Sequence, residues 1–415
     1  MTIKTKLIKK SKSARMQILV LNSGSSSVKY QLINGGNLKL LVRGNISRIG
    51  TDDAQFWQRK ENGGEVKFTR PILNHEQAIQ QLLDSLLYKK TGILKNLSDI
   101  FAVGHRVVHG GEYFSRPTLI NDEVMNKISQ CSQLAPLHNP PQLKGIEACR
   151  RLIQGVPQVA VFDTAFHQTI PPVAYMYGLP YDKYKKHRIR RYGFHGTSHY
   201  YVAHRAATLE KQPVEKLKII TCHLGNGSSV AAIKGGKCID TSMGFTPLEG
   251  LVMGTRAGDI DCSAVLYLMR QENLNAEKMD TLLNKQSGLL GLSGVSNDMR
   301  KIIEAADKNN ERSRLAFDIF CYRVKKYIGA YTAALNGVDV LVFTAGIGEN
   351  SPAVRTRVCE QLDYLGFDLD HYINNQTIGT ESKISKNNSK VNIWTIPTNE
   401  ELVIAKQTLD VVYSI

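Results

Sequence analysis

Residues 17–36 read QILVLNSGSSSVKYQLINGG, and a similar arrangement recurs at 218–236 as KIITCHLGNGSSVAAIKGG. Each segment has an apolar run of strand length, a turn rich in glycine and serine, a second apolar run and a Gly-Gly pair. This pattern predicts a strand, a turn of phosphate size, a second strand and a hairpin. Its recurrence predicts two related halves, an arrangement suited to clamping a nucleotide between two domains.

Further apolar runs of strand length also end in polar or glycine-rich loops, and helical periods separate them. The runs lie at 100–103, 159–162 and 338–343, and the helical periods at 76–88 and 312–335. Strands that alternate with helices predict an α/β protein, in which ligands bind where strands end. Asn336-Gly337 is expected to end the second helix. The polar stretch 374–391 is expected to form a surface loop or edge structure.

The composition is typical of a folded globular protein. The 415 residues are 42% hydrophobic and 22% charged, unlike those of disordered, collagen-like or coiled-coil chains. No run approaches the roughly 18 apolar residues of a membrane-spanning helix, so we expect no membrane partner. The seven cysteines include no Cys-x-x-Cys pair, and we expect them to be reduced and buried in a cytoplasmic protein.

The net charge of +16 is partly concentrated in residues 1–15, which hold six basic residues and no acid. We expect a solvated basic tail rather than a signal peptide, because only a short apolar run follows it. The remaining positive charge would attract anionic ligands such as nucleotides and carboxylates. Nucleic acid is the alternative, but only 188–192 combines basic and aromatic residues, so we expect no nucleic-acid partner.

Several catalytic signatures are missing from the sequence. Gly-x-x-x-x-Gly-Lys-Ser/Thr and Gly-x-Ser-x-Gly do not occur, which argues against a P-loop enzyme and against an α/β-hydrolase. His195, His199 and His204 have spacings compatible with one helix face, but no His-Glu-x-x-His occurs. Structural or substrate-facing histidines are therefore favoured over a zinc site.

Phosphoryl transfer fits the polar loops better. The Gly/Ser loops at 22–27 and 223–229 can cradle phosphates, and Asp163 at a strand end can serve a Mg²⁺ site. Arg106 and Arg256 lie in glycine-flanked loops, where they can neutralise a moving phosphoryl group. Each residue alone has a structural explanation, and their joint placement favours this chemistry.

The longest motifs resemble those of the acetate kinase family. They are NSGSSSVKY at 22–30, GHRVVHGGE at 104–112, APLHNPP at 135–141, FDTAFHQ at 162–168, RYGFHGTSH at 191–199, HLGNGSS at 223–229, GFTPLEG at 244–250, GTRAGDID at 254–261, GIGEN at 346–350 and PTNEEL at 397–402. The resemblance covers nearly the whole chain from Met16. One departure is Ala257, where many members have serine, and no chemical role is assigned to that position.

The resemblance implies the duplicated, ribonuclease-H-like α/β fold shared with actin and hexokinase, with the active site in the cleft between two domains. We expect an N-terminal domain at 16–167, completed by a C-terminal helix at 401–415, and a nucleotide-binding domain at 168–400. The implied reaction is the reversible transfer of a phosphoryl group between ATP and acetate, giving ADP and acetyl phosphate. It would use Mg²⁺, with Mn²⁺ as an alternative metal, in a homodimer.

Family roles can be carried onto the matching positions of this sequence. Catalysis is assigned to Asp163, His195 and Arg256, and metal binding to Asn22 and Glu400. Acetate binding is assigned to Arg106 and His138, with Val108, Leu137, Phe194 and Pro247 around the methyl group. Nucleotide binding is assigned to Lys29, His223, Leu224, Gly225, Asn226, Gly227, Asp298, Met299, Arg300, Gly346, Ile347, Gly348, Glu349 and Asn350.

Acetate is already ionised at neutral pH, because a simple carboxylic acid has a pKa of about 4–5, and it needs no general base. Asp163 is therefore better interpreted as organising Mg²⁺ or its water. Three alternatives remain open at this stage. A propionate or butyrate kinase would differ in pocket size, an ATPase of the same superfamily would turn over ATP without acetate, and a nucleic-acid binder would show salt-dependent binding to DNA.

Overall fold

The computed structural model describes residues 16–90, 92–136 and 138–414. They divide into two units, one running to Ala165 and completed by the segment from Asn399, the other comprising Phe166–Thr398. The basic tail 1–15 and Leu137, both subjects of the sequence predictions, lie outside the described residues. The division into domains at 16–167, 168–400 and 401–415 stays a prediction about independently folding parts.

The first unit is built on a mixed sheet with the strand order β5-β4-β3-β2-β1-β6-β8-β7. Its strands are β1 (Gln17–Ser23), β2 (Ser27–Asn34), β3 (Leu40–Ser47), β4 (Thr51–Lys60), β5 (Glu65–Ile72), β6 (Ile100–Val107), β7 (Thr118–Leu119) and β8 (Gln158–Phe162). Helices α1 (His75–Leu87), α2 (Asp122–Gln130) and α3 (Asn139–Leu152) lie between these strands in sequence, and a C-terminal helix described below completes the unit.

The second unit is built on a smaller mixed sheet with the order β11-β10-β9-β12-β14-β13. Its strands are β9 (Lys218–Leu224), β10 (Ser228–Lys234), β11 (Lys237–Thr241), β12 (Val340–Thr344), β13 (Ser382–Lys383) and β14 (Asn392–Thr395). Its helices are α4 (Pro172–Tyr175), α5 (Tyr181–His187), α6 (Gly196–Leu209), α7 (Cys262–Gln271), α8 (Ala276–Thr281), α9 (Gly288–Ser293), α10 (Met299–Asp307), α11 (Glu311–Leu335), α12 (Ala345–Asn350), α13 (Pro352–Cys359) and α14 (His371–Gln376).

Both sheets contain the same five-stranded core. In the first, β1 pairs antiparallel with β2 and parallel with β6, while β2 pairs antiparallel with β3 and β6 pairs parallel with β8. In the second, β9, β10, β11, β12 and β14 repeat this order and these directions. The two sequence echoes occupy the first two strands of each core. The duplicated α/β fold expected from the sequence is therefore confirmed.

The two halves differ at the Gly-Gly pairs. Gly235 and Gly236 form a two-residue hairpin in which both have positive φ, 59° and 76°, as a tight turn between β10 and β11 requires. In the first half, β2 ends at Asn34 and β3 begins at Leu40, so Gly35 and Gly36 open a longer loop. The expected hairpin forms in both halves, with a Gly-Gly turn in the second and a five-residue loop containing Gly35-Gly36 in the first.

Helix α15 (Glu400–Tyr413) belongs to the first unit and packs against its sheet. Ile404 shares a core with Ile18 and Val159. A Cβ at Gly104 of β6 would come 2.7 Å from Cγ2 of Ile404 and closer still to Oγ1 of Thr408. Glycine at this position therefore allows the helix to approach the sheet closely.

Two further sequence predictions concern the end of helix α11 and the polar stretch 374–391. Helix α11 ends where expected, because Asn336 is left-handed with φ 53° and Gly337 follows with φ 98°. The stretch 374–391 contains the end of α14 and the edge strand β13, but Asn374 is completely buried, so the expectation of a surface segment is wrong there.

All seven cysteines are free thiols and six are buried, but Cys262 is exposed, so the expectation of burial is wrong for that residue. Among the described residues, no helix has both the length and the apolar character needed to cross a membrane.

Candidate active site

In the first unit, Arg106 on β6 and Asp163 directly after β8 form a bidentate ion pair. Nε of Arg106 donates to Oδ1 of Asp163 at 3.0 Å, and Nη2 donates to Oδ2 at 2.6 Å. The two strands are parallel neighbours, so their carboxyl ends meet at one edge of the sheet. The sequence identified both residues at strand ends but did not predict that they pair with each other.

Acidic residues at the start of α15 extend this pair into a charged cluster. A carboxylate oxygen of Glu400 lies 3.8 Å from Nε of Arg106. Burial opposes the charge of Arg106, but Asp163, Glu400 and Glu401 outweigh it and raise the pKa of the guanidinium. Burial also raises the pKa of Asp163, against the opposing effect of Arg106. Glu401 was not singled out from the sequence, although it adjoins Glu400.

The donor atoms at this edge suit a hard cation. Asn22 pairs with Lys29 across β1 and β2, and Lys29 acts electrostatically on Glu401, whose pKa burial raises. Mg²⁺ prefers oxygen ligands and usually binds one or two carboxylates, waters and substrate phosphates. Within the described residues, no group of three or more His, Cys, Asp or Glu side chains is placed to hold a metal ion. The side chains of Asn22 and Glu400 carry oxygen donors of this kind.

Side chains of α3 fix the loop that follows β6. The N–H of Val108 donates to Oε1 of Gln142 at 2.9 Å, and the N–H of His109 donates to Oδ1 of Asn139 at 3.1 Å. Val108 is buried, while His138 lies just before α3 and acts electrostatically on Asp163. Asn139 and Gln142 had not been identified as positioning groups, because such contacts are distant in sequence.

In the second unit, His195 is linked to His199 through the hydroxyl of Ser229. Nδ1 of His195 lies 2.9 Å from Oγ of Ser229, which lies 2.7 Å from Nε2 of His199. Nδ1 of His199 in turn lies 2.7 Å from Oγ1 of Thr221. Burial lowers the pKa of His199 well below its usual value, so it is neutral. Each hydroxyl can donate only one hydrogen. This series of hydrogen bonds therefore makes the tautomer of His195 depend on that of His199.

His195 and Arg256 both face the turn between β9 and β10. A Cβ at Gly227 would lie 3.4 Å from Nε2 of His195 and 3.6 Å from Nη1 of Arg256. In the described residues no carboxylate pairs with Arg256, whose Nη1 lies 3.4 Å from the carbonyl of Pro247. Burial lowers the pKa of this guanidinium. A partly desolvated cation without an acidic partner is suited to an anionic ligand.

His223 and Phe194 lie behind His195. The rings of His195 and His223 are stacked with their centroids 4.1 Å apart, and Nδ1 of His223 lies 2.8 Å from Oγ of Ser198. Phe194 is buried, and its carbonyl accepts a hydrogen bond from Nε2 of His167 at 2.9 Å. The sequence did not assign roles to Ser198 or His167.

A cavity of about 1000 Å³ lies beyond the carboxyl ends of β9 and β12. Its lining includes eight of the residues assigned to nucleotide binding, namely Gly225, Asn226, Asp298, Met299, Arg300, Gly346, Ile347 and Asn350. It also includes Asn297, Ile303, Ser351, Pro352, Ala353 and Ile378, which the sequence analysis did not identify. Residues 351–353 directly follow the quoted motif at 346–350, and Asn297 and Ile303 lie close to the assigned residues 298–300, but Ile378 had no such neighbour in the sequence.

The other six assigned nucleotide residues lie outside this lining. Lys29 belongs to the first unit, and Leu224 is part of the hydrophobic core of the second. Glu349 on α12 has a structural role, because its Oε1 accepts hydrogen bonds from the N–H groups of Ala345 and Thr398, at 2.7 and 3.0 Å. The remaining three are His223, Gly227 and Gly348.

Comparison with known proteins shows to which family the chain belongs. Residues 17–406 match the Acetokinase family. The chain belongs to the acetokinase family. Its relatives include the acetate kinase of Thermoanaerobacter pseudethanolicus, which is 57% identical over 394 residues, 95% of this chain and 98% of that protein.

Two solved structures of acetokinase-type proteins carry different names. The Porphyromonas gingivalis acetate kinase has a TM-score of 0.92 and is 47% identical in sequence. The match covers 96% of this chain and 100% of that one. A propionate kinase from Francisella tularensis has a TM-score of 0.89 and 45% identity, covering 95% and 99%. Proteins with both names thus share the backbone fold of this chain.

Proposed function

We propose that this acetokinase-family chain transfers the γ-phosphoryl group of ATP to the carboxylate of acetate, reversibly, giving ADP and acetyl phosphate. The observation that carries the proposal is the similarity to acetate kinases over nearly the full length of the chain. The geometry of each unit supplies a chemical reason for it. The first unit offers an arginine for a small carboxylate, and the second offers a cavity of nucleotide size with cations beside it.

In the first unit, Arg106 is proposed to bind the carboxylate of acetate. Its Nε and Nη2 donate to Asp163, and within the described residues Nη1 makes no hydrogen bond, so donor capacity remains for a ligand. A planar guanidinium binds a carboxylate through two parallel hydrogen bonds. Acetate is itself the nucleophile, so Asp163 removes no proton and instead fixes the orientation of Arg106. His138 is proposed to assist binding, and buried Val108 to contact the methyl group.

In the second unit, the cavity is proposed to bind ATP or ADP. Gly225 and Gly346 in its walls allow close approach of the backbone to phosphates. His195 and Arg256 are proposed to donate hydrogen bonds to the equatorial oxygens of the transferring phosphoryl group, where negative charge resides in the transition state. The hydrogen bonds that link His195 to Ser229 and Ser229 to His199 hold the imidazole of His195 in a fixed orientation.

Asn22 and Glu400 are proposed to hold Mg²⁺, directly or through water, and Mn²⁺ would fit the same oxygen ligands. When bound, the ion would neutralise negative charge on the phosphates of the nucleotide. Lys29 and Glu401 set the local charge at this edge.

We also propose that the chain is a cytoplasmic homodimer. Its seven free thiols support a reducing compartment. Helix α7 buries none of its side chains, and Leu266 and Tyr267 on it are exposed, although a helix of ten residues is marginal without packing. Light scattering should give twice the chain mass, and Leu266→Asp should give a monomer. A monomeric wild type would contradict the dimer.

The reverse reaction tests the proposed activity with little background. Purified protein, ADP, Mg²⁺ and acetyl phosphate should yield ATP, measured by luciferase. Arg256→Ala should lower the rate strongly, whereas Arg314→Ala, which removes an exposed cation on α11, should leave it unchanged. If no ATP forms from acetyl phosphate while ATP is hydrolysed without acetate, the superfamily ATPase is the better description.

A further inference from the structure

Arg355 on α13 is a completely buried arginine without an acidic partner. It is the largest side chain that is fully buried in the described structure, and no ion pair within the described residues includes it. Burial lowers its pKa to about 10, so it still carries its charge at neutral pH. A buried charge is strongly unfavourable unless hydrogen bonds compensate it, so the partners of Arg355 indicate why it is there.

Every N–H group of the Arg355 guanidinium donates to an oxygen. Nε donates to Oδ1 of Asn374 at 2.7 Å. Nη1 donates to the carbonyls of Gly348 and Glu349 at 2.9 and 3.0 Å. Nη2 donates to the carbonyls of Asn374 and Thr377 at 2.9 and 2.6 Å. Five bonds use all five donors of the side chain, which a lysine with three donors could not match.

The accepting carbonyls lie near the C-terminal ends of two short helices, α12 and α14. Carbonyls at such ends have few partners within their own helix and carry partial negative charge, although the carbonyl of Asn374 also accepts from the N–H of Thr377 at 3.2 Å. A single cation between them satisfies both helix ends at once. Asn374 strengthens the connection, because its Nδ2 donates to the carbonyl of Pro352 and to Oγ1 of Thr356 at 3.1 and 3.0 Å.

The two helix ends that Arg355 joins continue into walls of the cavity. Gly346, Ile347 and Asn350 of α12 line it, as does Ile378 just after α14. A second link runs between the same segments, since the N–H of Gly379 donates to the carbonyl of Glu349 at 3.0 Å. Loss of Arg355 would leave four backbone carbonyls and one amide oxygen without this donor, and the walls could then separate.

We propose that Arg355 is a positioning residue that fixes the spacing of the two cavity walls and thereby sets nucleotide affinity without touching the nucleotide. This inference rests on the proposed function, in which the cavity binds ATP or ADP. Loss of Arg355 should weaken nucleotide binding and leave acetate binding unchanged, because Arg355 does not hold the acetate residues of the first unit. A residue that only supported folding would not distinguish the two substrates.

The test compares Arg355→Met with Arg357→Met. Arg357 lies on the same helix but is partly exposed and pairs with Asp318 and Glu360. We expect Arg355→Met to raise the KM for ATP at least about tenfold, since small displacements in a binding site have large effects, and to keep the KM for acetate within about twofold. Arg357→Met should leave both constants unchanged. Equal increases in both constants for folded Arg355→Met, or no increase in either, would overturn the proposal.

Arg355→Lys and guanidinium rescue cover the case in which Arg355→Met does not fold. Arg355→Lys keeps the charge with fewer donors, and it should raise the KM for ATP alone. Adding guanidinium ion to Arg355→Ala should restore ATP affinity more than acetate affinity. An unchanged KM for ATP in Arg355→Lys would overturn the proposal.

Hydrogen exchange separates this inference from the proposed function. Without nucleotide, Arg355→Lys should exchange faster than wild type at 345–350 and 371–379, whatever the cavity binds. If wild type neither binds ADP nor uses ATP, the proposed function fails, and this inference with it. If wild type binds ADP but exchange and affinity are unchanged in the variant, only the positioning role is overturned.

Discussion

Arg106 and Asp163 face each other through two hydrogen bonds, of 3.0 and 2.6 Å, although 57 residues separate them in the chain. Asp163 is only 1% exposed, whereas Arg106 is 21% exposed and reaches solvent. The carboxylate thus anchors the guanidinium from the buried side and leaves its other side accessible. In the proposed reaction, this geometry prepares Arg106 to receive acetate.

Asp163→Asn should lower kcat/KM at least about 100-fold, because one positioned electrostatic group in such a site contributes a few kcal/mol. Asparagine keeps the shape but removes the charge that orients Arg106. The measurement is steady-state turnover, with circular dichroism to verify folding. Asp122→Asn is the matched control, since Asp122 pairs with Arg150 on the surface at 2.8 Å. Near-normal turnover of Asp163→Asn would remove this residue from the mechanism.

Arg106→Ala should raise the KM for acetate more than the KM for ATP. Arg106→Lys should recover little, because a lysine cannot form two parallel hydrogen bonds to a carboxylate. Both constants are obtained by varying each substrate at saturation of the other. Equal effects on the two substrates would contradict a specific contact between Arg106 and acetate.

The features of the fold that could be predicted from the sequence are those encoded by local patterns. The Gly/Ser turns after β1 and β9, the strand-end positions of Arg106 and Asp163, and the Asn336-Gly337 helix end all depend on neighbouring residues. The pairing of Arg106 with Asp163 depends on strands being adjacent in space, which one sequence does not contain. Asn374 was misread because a polar residue in a polar stretch looks exposed, whereas its burial follows from Arg355.

Val108→Ala should reduce the preference for acetate over propionate by making room for one more carbon. A methylene in an apolar pocket is worth about 10- to 200-fold in specificity, and β-branched valine has little freedom to move aside. The ratio of kcat/KM values for the two acids measures the effect. Val107→Ala is the control, because Val107 is its neighbour but packs in the hydrophobic core. An unchanged ratio in Val108→Ala would show that Val108 does not contact the acyl group.

His105 should make the protein less stable as the pH falls. Burial lowers its pKa to about 4, against a usual value near 6.5, and Nε2 lies 2.8 Å from Oε1 of Gln158. Below about pH 6.5 the unfolded chain takes up a proton that the native chain does not, so the free energy of unfolding decreases. Between pH 7.5 and 5.5 this amounts to about 1.4 kcal/mol.

His105→Gln should therefore lose about 1.4 kcal/mol less stability than wild type over that interval. Urea unfolding at the two pH values measures the difference, and His187→Gln, at an exposed position on α5, is the control. Equal losses in wild type and His105→Gln would show that His105 is not held neutral.

The central claim is that the chain phosphorylates acetate, and a panel of carboxylates tests it most directly. Formate, acetate, propionate and butyrate are each incubated with ATP and Mg²⁺, and hydroxylamine traps the acyl phosphate as a hydroxamate. We expect hydroxamate from acetate at the highest kcat/KM, with propionate moderately behind and little ATP consumed when no carboxylate is present. A higher kcat/KM for propionate would make the protein a propionate kinase, and ATP hydrolysis without hydroxamate from any acid would contradict carboxylate phosphorylation altogether.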